Sequence, residues 1–174
     1  MTNVTIRAAG AGDIAAITRI YAQAVRHGTA TFEIEPPDEA EMARRQQGLL
    51  ANGYPYLVAE VAGAVAGYAY AGPYRERPGY RWTVEDTVYI APQFHRLGLG
   101  RLLITRLVAD AAARGFRQMI GIVGDSTNAA SIALHASAGF RRIGTLQSVG
   151  FKHGRWIDSV LMQRALGDAD TTPP

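Results

Sequence analysis

The chain has 174 residues, 48% of them hydrophobic and 19% charged, with a formal net charge of +3, proportions that fit one globular domain able to bury its own core. It has no cysteine, which excludes disulfides, thiolate metal sites and a cysteine nucleophile. Its charges are scattered apart from the pairs Arg44–Arg45 and Arg141–Arg142, so nucleic acid is not an expected partner, and no run reaches the ~20 apolar residues that cross a membrane.

In chain order, Val4 to Arg7 has the look of a first strand. Asp13 is expected to cap a helix whose apolar residues Ile14, Ile17, Ile20, Tyr21, Ala24 and Val25 recur at helical spacing. His27 to Pro37 shows no period. A second helix is expected from Asp38 to Ala51, closed by Asn52-Gly53. Tyr56–Val61 and Val65–Ala71 are short runs of strand formers around Ala62-Gly63-Ala64, a hairpin turn. Gly72 to Arg81 forms a loop rich in Arg, Tyr, Pro and Gly, before a strand over Trp82–Ile90.

Leu99 to Ala113 is an amphipathic helix ended by Arg114-Gly115. A strand over Gln118–Val123 and a short helix over Asn128–Ser137, ended by Gly139, follow. The last strands are Phe140–Leu146 and Ile157–Arg164. The order βααβββαβαββ defines the fold class: α/β, a mixed sheet flanked by helices with one parallel βαβ crossover. The expected domain spans residues 1–166, and 167–174 has the composition of a disordered tail.

One segment carries chemistry on its face. Val88 to Arg101 runs strand, turn, glycine loop, helix. A helix start has free N–H groups and the positive end of the dipole, and glycines let backbone approach an anion closely. Together these suit a phosphate or pyrophosphate, and Arg96 and Arg101 add charge. A tight turn with no ligand explains a lone Gly-x-Gly equally well. The Walker form needs Lys-Ser or Lys-Thr after the second glycine, and neither is present. The dinucleotide fingerprint needs a third glycine where Leu103 stands and a loop directly after the strand, whereas Ala91 to Leu97 intervene. Asp125 falls about where a ribose-binding acid would lie, so that reading is weakened but open.

His95-Arg96-Leu97-Gly98-Leu99-Gly100 resembles the signature Gln/Arg-x-x-Gly-x-Gly/Ala of the GCN5-related N-acetyltransferase (GNAT) superfamily, with His95 where Gln or Arg is usual. Asn128-Ala129-Ala130-Ser131 with Ala138-Gly139-Phe140 looks like the family's second cofactor helix. Within the superfamily the chain resembles the phosphinothricin and methionine sulfone or sulfoximine acetyltransferases. The matching stretches are Gly53-Tyr54-Pro55, Thr83-Val84-Glu85 leading into Val88-Tyr89-Ile90, Leu134-His135, Lys152 to Trp156, and Asp158. The resemblance covers nearly all of residues 4–166.

The resemblance implies the GNAT fold and acetyl transfer from acetyl-CoA to a small-molecule amine. It implies that the pantetheine arm lies in a splay between the strands Trp82–Ile90 and Gln118–Val123. Val88, Tyr89 and Ile90 would pair with the arm, and the segment Arg96, Leu97, Gly98, Leu99, Gly100, Arg101 would hold the pyrophosphate. Glu85 would be the base, directly or through water. An ion pair with Arg75 or Arg81 is its plain alternative. Asp86 should face the other side of the strand, in a structural role.

His135 stands where many relatives place a tyrosine as acid toward the departing sulfur. A thiol pKa near 8.5 makes a donor useful there, though simple packing explains a helix-face histidine as well. Asn128 is a helix cap and, by resemblance, a contact to the arm. Ser137 is a further cofactor candidate. For the substrate, Arg75 and Arg81 offer cations to a carboxylate, with Thr87 beside Glu85. Tyr74, Tyr80, Trp82 and Phe32 offer walls, unless the last two are ordinary packing.

Lys152, His153 and Trp156 form a late loop that caps the pocket or meets a partner copy. His27 and His153 lack ligand spacing, so no metal is expected. The resemblance suggests a homodimer. With no cysteine and no basic segment leading into an apolar run at the start, the expected compartment is the cytoplasm. Acetylation of a protein N-terminus or an aminoglycoside, a cofactor-binding sensor without turnover, and a nucleotide-binding oxidoreductase are the alternatives.

Overall fold

In a computed structural model describing residues 3–174, seven strands build one sheet. They are β1 (Val4–Ala8), β2 (Tyr56–Val61), β3 (Ala64–Pro73), β4 (Thr83–Ile90), β5 (Gln118–Gly124), β6 (Arg141–Lys152) and β7 (Arg155–Ala165). Residues 1 and 2 of the expected domain lie outside the described residues. The strand order is β1-β2-β3-β4-β5-β7-β6. Every neighbouring pair is antiparallel except β4–β5, which is the pair joined through a crossover helix, as a parallel connection requires.

Four helices cover the two faces: α1 (Ile14–His27), α2 (Glu39–Ala51), α3 (Leu99–Ala113) and α4 (Ala129–Ser137). The apolar stripe of α3 buries Leu99, Leu103, Ile104, Leu107 and Ala111 against Leu57, Ala69, Val84 and Met119 of the sheet. On the opposite face α1 and α2 bury Ile14, Ile17, Val25 and Met42 against Tyr56, Val58 and Tyr68. Alternation along β4 divides its side chains between these layers: Val84 and Val88 join the α3 core, and Tyr89 joins the α1 core. That division decides what each residue of β4 can do.

A ladder of tyrosines floors the α1 side. Tyr56 stacks on Tyr70 at 4.9 Å, Tyr68 meets Tyr89 at 5.6 Å, and Tyr89 meets Tyr21 edge-on at 5.2 Å. These pairs follow from the registers Tyr56↔Tyr70 and Tyr68↔Tyr89.

Several expectations change in detail. Asp38 caps α2 through its Oδ1, which accepts the Glu41 N–H at 2.8 Å. Asp13 does not cap α1. It closes a short 3₁₀ turn, accepts the Gly10 N–H at 2.7 Å and takes a two-pronged bond from Arg7, so its oxygens are committed away from the first turn of α1. The final strands run to Lys152 and start again at Arg155, so the expected late loop is only the turn His153-Gly154. Both of those residues have positive φ, 50° and 74°, as a two-residue hairpin turn demands. Register shifts between Arg142 and Gly144 and between Leu146 and Gly150 break the alternation that would have marked β6 as one long strand. Residues 167–170, placed in the expected tail, form turns. The Ala169 N–H donates to the Leu166 carbonyl, and Arg117 reaches both Ala169 and Thr172.

Leu107 is fully buried in the α3 layer. We expect Leu107→Ala to lower unfolding free energy by about 2–5 kcal/mol through lost burial and a residual cavity, read as a lower urea midpoint with an unchanged slope.

Candidate active site

The parallel ladder is short. It pairs Thr83–Asp86 with Gln118–Gly121 and stops. Beyond it β4 stays paired with β3 up to Ile90, and β5 stays paired with β7 up to Gly124. The two strands therefore part, at the place expected for a splay. A cavity of about 260 Å³ opens there and passes between the faces of the sheet. Tyr21, Tyr70, Glu85, Thr87 and Tyr89 line its α1 side; Asp86, Asn128, Ser131 and His135 line its α4 side. Ala30, Thr31 and Phe32 close it.

Glu85 lies at the narrow end of the gap on the α1 side. It is half-buried, and among the described residues no side chain donates a hydrogen bond to stabilise its charge. Burial, followed by the neighbouring charge of Asp86, pushes its pKa up to about 7, against a smaller pull from Arg75. A carboxylate that exchanges its proton near neutrality, shielded and facing a cavity, suits a general base.

Asp86 faces the opposite side, as the strand period requires. Its carboxylate is buried and meets His135 Nε2 at 3.0 Å. His135 Nδ1 donates to the Ser131 carbonyl at 2.8 Å, and the edge of Phe140 packs on the ring at 5.2 Å. Burial alone would pull the pKa of the ring down. The Asp86 carboxylate and the Ser131 carbonyl outweigh it and leave the pKa raised. Space for this pair comes from Gly121, where a Cβ would stand 2.7 Å from His135 Cδ2.

At the wide end, Pro92–Phe94 makes a 3₁₀ turn, and Arg96 and Gly98 take positive φ, 65° and 76°. The turn delivers α3 with no side-chain cap, since its N-cap is Gly98. By contrast, α4 is capped by Asn128 Oδ1, which accepts the Ser131 N–H at 3.2 Å. Arg96, Leu97 and Arg101 are exposed around the bare end of α3. Free N–H groups, a dipole end and two guanidinium groups suit an anionic group. Gly100 has a packing role as well: a Cβ there would press on Leu134 of α4 at 3.1 Å. The Ile90 carbonyl is bonded by His95 Nε2 at 3.0 Å, tying the loop to the end of β4.

The wall formed by residues 28–32 is held from far along the chain. Lys152, buried at the hairpin tip, donates to the Thr31 carbonyl at 2.9 Å, and His153 bonds the Gly28 carbonyl at 3.2 Å. Phe32 packs directly on Gly150, and Thr29 on Gly124, where no side chain would fit. Asp125 accepts from Thr29, Thr127 and Arg155, so its carboxylate is committed to holding this loop and not to a ribose.

Of the expected site residues, the cavity brings together Glu85, Thr87, Val88, Tyr89, Asn128, His135 and Phe32. It does not include Tyr74, Arg75, Tyr80, Arg81 or Trp82. Tyr74 and Tyr80 pack on each other at 5.6 Å, and the guanidiniums of Arg75 and Arg81 lie over the rings of Tyr74 and Trp82 at 5.1 and 5.2 Å. The Ser137 hydroxyl is exposed and donates to the Leu134 carbonyl, outside the cavity. Tyr21, Thr31 and Tyr70 are wall residues that sequence reasoning missed. Tyr21 lay on the helical stripe and passed for core. Tyr70 shares the period-2 face with Tyr68, which was a usable signal; Thr31 had none.

Parallel strands that part over a shielded carboxylate, with an uncapped helix start nearby, describe a group-transfer enzyme that grips an extended, anionic donor. Residues 16–140 match the acetyltransferase (GNAT) family, and the chain belongs to that family. It is 54% identical over 170 residues to the phosphinothricin N-acetyltransferase of Alcaligenes faecalis, covering 98% of this chain and 86% of the relative. It is 41% identical over 165 residues to the L-methionine sulfoximine/L-methionine sulfone acetyltransferase of Salmonella typhimurium, covering 95% and 96%. Among solved structures, a GNAT-superfamily phosphinothricin acetyltransferase from Sinorhizobium meliloti in complex with acetyl-CoA superposes with a TM-score of 0.95 at 47% identity, covering 98% of this chain and 92% of the other.

The Glu85 carboxylate sets a sign for stability. Its folded pKa, about 7, lies above its ordinary 4.5, so folding favours the protonated form, and stability falls as pH rises from the lower value to the higher. We expect Glu85→Gln to stabilise the fold at pH 8 by about 2 kcal/mol, after discounting for solvent screening. At pH 4 the gain should vanish, which urea titrations at the two pH values will read.

Proposed function

We propose that the chain is an acetyl-CoA-dependent N-acetyltransferase that acetylates the α-amine of small amino-acid analogues such as phosphinothricin, methionine sulfone or methionine sulfoximine. The observation that carries this reading is the parted β4–β5 ladder with the unpaired, half-buried Glu85 at its apex. The names of the relatives at 54% and 41% identity support the substrate class.

The residues present fit the donor. Inner-edge backbone of β4 from Thr87 to Ile90 lies open to the gap and can pair with the amides of a pantetheine arm as a further strand would. The segment from Arg96 to Arg101 receives the pyrophosphate on bare N–H groups, and Asn128 meets the arm from the other wall. Glu85 removes the proton that an ammonium must lose before it attacks. Val88 to Ile90 supply backbone donors toward the thioester oxygen. His135 stands on the far wall, where the leaving sulfur gathers negative charge. Tyr21, Tyr70 and Phe32 exclude water from the amine side. Arg75 lies outside the cavity lining, over the Tyr74 ring, but its charge reaches Glu85, and turned inward it is the cation for the substrate carboxylate. Transfer is direct, with no acyl-enzyme.

The second copy of a homodimer would cover the edge hairpin. β6 is an edge strand, and Ile143, Leu146, Val149, Phe151 and Trp156 on the hairpin are 48–63% exposed, an apolar strip of the kind that marks an interface. The proposed compartment is the cytoplasm. Among the described residues, no helix is long and apolar enough to cross a membrane.

The test is thiol release from acetyl-CoA against methionine sulfone, methionine sulfoximine, phosphinothricin, an aminoglycoside and a peptide N-terminus. We expect turnover with the first three. Glu85→Gln should cut kcat by a factor of ~100 or more while acetyl-CoA still binds, and the acidic limb of the wild-type profile near pH 7 should disappear with it. Release confined to the aminoglycoside or the peptide would overturn the substrate assignment. Trp156→Asp should convert a sedimenting dimer to monomer; an unchanged sedimentation coefficient would show that the strip is not the interface.

A further inference from the structure

The buried pair on the α4 side of the cleft is more than packing. Three geometric facts define it. First, both ring nitrogens of His135 face oxygen acceptors: the Ser131 carbonyl at 2.8 Å, which cannot donate, and Asp86 Oδ2 at 3.0 Å. A ring between a carbonyl and a carboxylate satisfies both as a doubly protonated imidazolium. Second, the pair sits at the end of the parallel ladder, since Asp86↔Gly121 is its last register pair, and Gly121 leaves the hole the ring occupies. Third, Asp86 Oδ1 is buried with no hydrogen-bond partner among the described residues. A carboxylate with one idle buried oxygen is costly in the fold, so local stability does not explain it.

We propose that Asp86 is a positioning residue for acetyl transfer: it holds His135 as a fixed imidazolium at the apex of the cleft, and His135 acts on the departing sulfur through that charge and not by giving up a proton. The inference rests on the function proposed above. In the step it serves, the amine nitrogen bonds to the acetyl carbon, the C–S bond breaks and the electron pair stays on sulfur. Glu85, on the other face of the sheet, has taken the proton that the ammonium loses before attack. The second proton leaves the nitrogen to solvent as the tetrahedral intermediate collapses, and the thiolate, leaving beside the imidazolium, takes a proton from solvent. The sheet thus separates the base from the positive charge, so neither quenches the other.

The groups that bear on the ring are few. On β4 it is Asp86, while Glu85 faces the other side of the sheet. β5 offers Gly121 and α4 offers the Ser131 carbonyl, neither titratable, and the neighbouring Phe140 is uncharged. Arg75 and Tyr70 stand by Glu85. The raised proton affinity of His135 is in keeping with this arrangement.

The test is histidine ¹⁵N resonances together with pH profiles of kcat/KM, for wild type, Asp86→Asn and Asp86→Glu. In the wild type at pH 7.5, both His135 nitrogens should carry protons. In Asp86→Asn the ring should titrate at or below its ordinary 6.5. Its kcat at pH 8 should fall about tenfold with the KM for the amine little changed, while Asp86→Glu recovers most of it. A wild-type ring protonated on only one nitrogen at pH 7.5 overturns the proposal, even if the variants do not fold. So does an Asp86→Asn enzyme that melts earlier but keeps the wild-type profile. If no amine releases CoA, the function proposed above fails instead, and the resonances still decide whether Asp86 sets the charge on His135.

Discussion

The structure depends on a ladder that stops. Four residues of β4 pair with four of β5, and from Thr87 and Ile122 onward each strand keeps only its outer neighbour. Backbone N–H and C=O groups left unpaired away from water are expensive, so a gap inside a sheet persists only if something else completes it or water fills it. An extended molecule carrying its own amides completes such a gap as a strand would. The rest of the site is arranged around this one deficiency. The glycine loop lies beyond the wide end of the gap, Glu85 and the Asp86–His135 pair lie at its apex, and the loop from Gly28 to Phe32 lies across its α1 side.

The apex also divides the chemistry. Consecutive residues of a strand face opposite ways, so Glu85 and Asp86 are adjacent in the chain but serve different layers. Glu85 opens to a tyrosine-walled chamber, and Asp86 is sealed against α4 by His135. Through the backbone between them Asp86 still raises the proton affinity of Glu85. An isolated carboxylate in that chamber costs folding energy at neutral pH, as shielded reactive groups do when function and stability compete. The surrounding cores are ordinary close-packed aliphatic layers that can carry the cost.

How far these features were legible in the sequence follows from how local their causes are. The uncapped start of α3 was visible because glycine, strand and helix lie within fourteen residues, and the cap of α4 because Asn128 acts three residues away. Glu85 was visible through a motif and its strand position. The amine-side wall was not. Thr31 takes its place only because Lys152, 121 positions away, reaches its carbonyl, and Gly150 receives the Phe32 ring. The loop at Tyr74 to Arg81 suggested a pocket by composition, yet its rings and guanidinium groups satisfy one another. The extent of β6 was hidden for a related reason, since two register shifts interrupt the alternation by which strands are recognised.

Glycine shows the same limit from another side. Gly98 is required for its conformation, with φ of 76° at the entry to α3. Gly100, two residues on, lies in a helix, and its neighbour is Leu134; its contribution to the loop includes bringing α4 against α3. Gly121, Gly124 and Gly150 lie in strands, and each makes room by lacking a side chain: for the imidazole of His135, for Thr29 and for the ring of Phe32. Two of these sites lie on β5 and one on β6, and they admit groups on both faces of the sheet. The cleft is therefore shaped as much by missing Cβ atoms as by the side chains that line it. In a sequence such glycines look like strand weaknesses, and only the partner that fills the space tells them apart from turns.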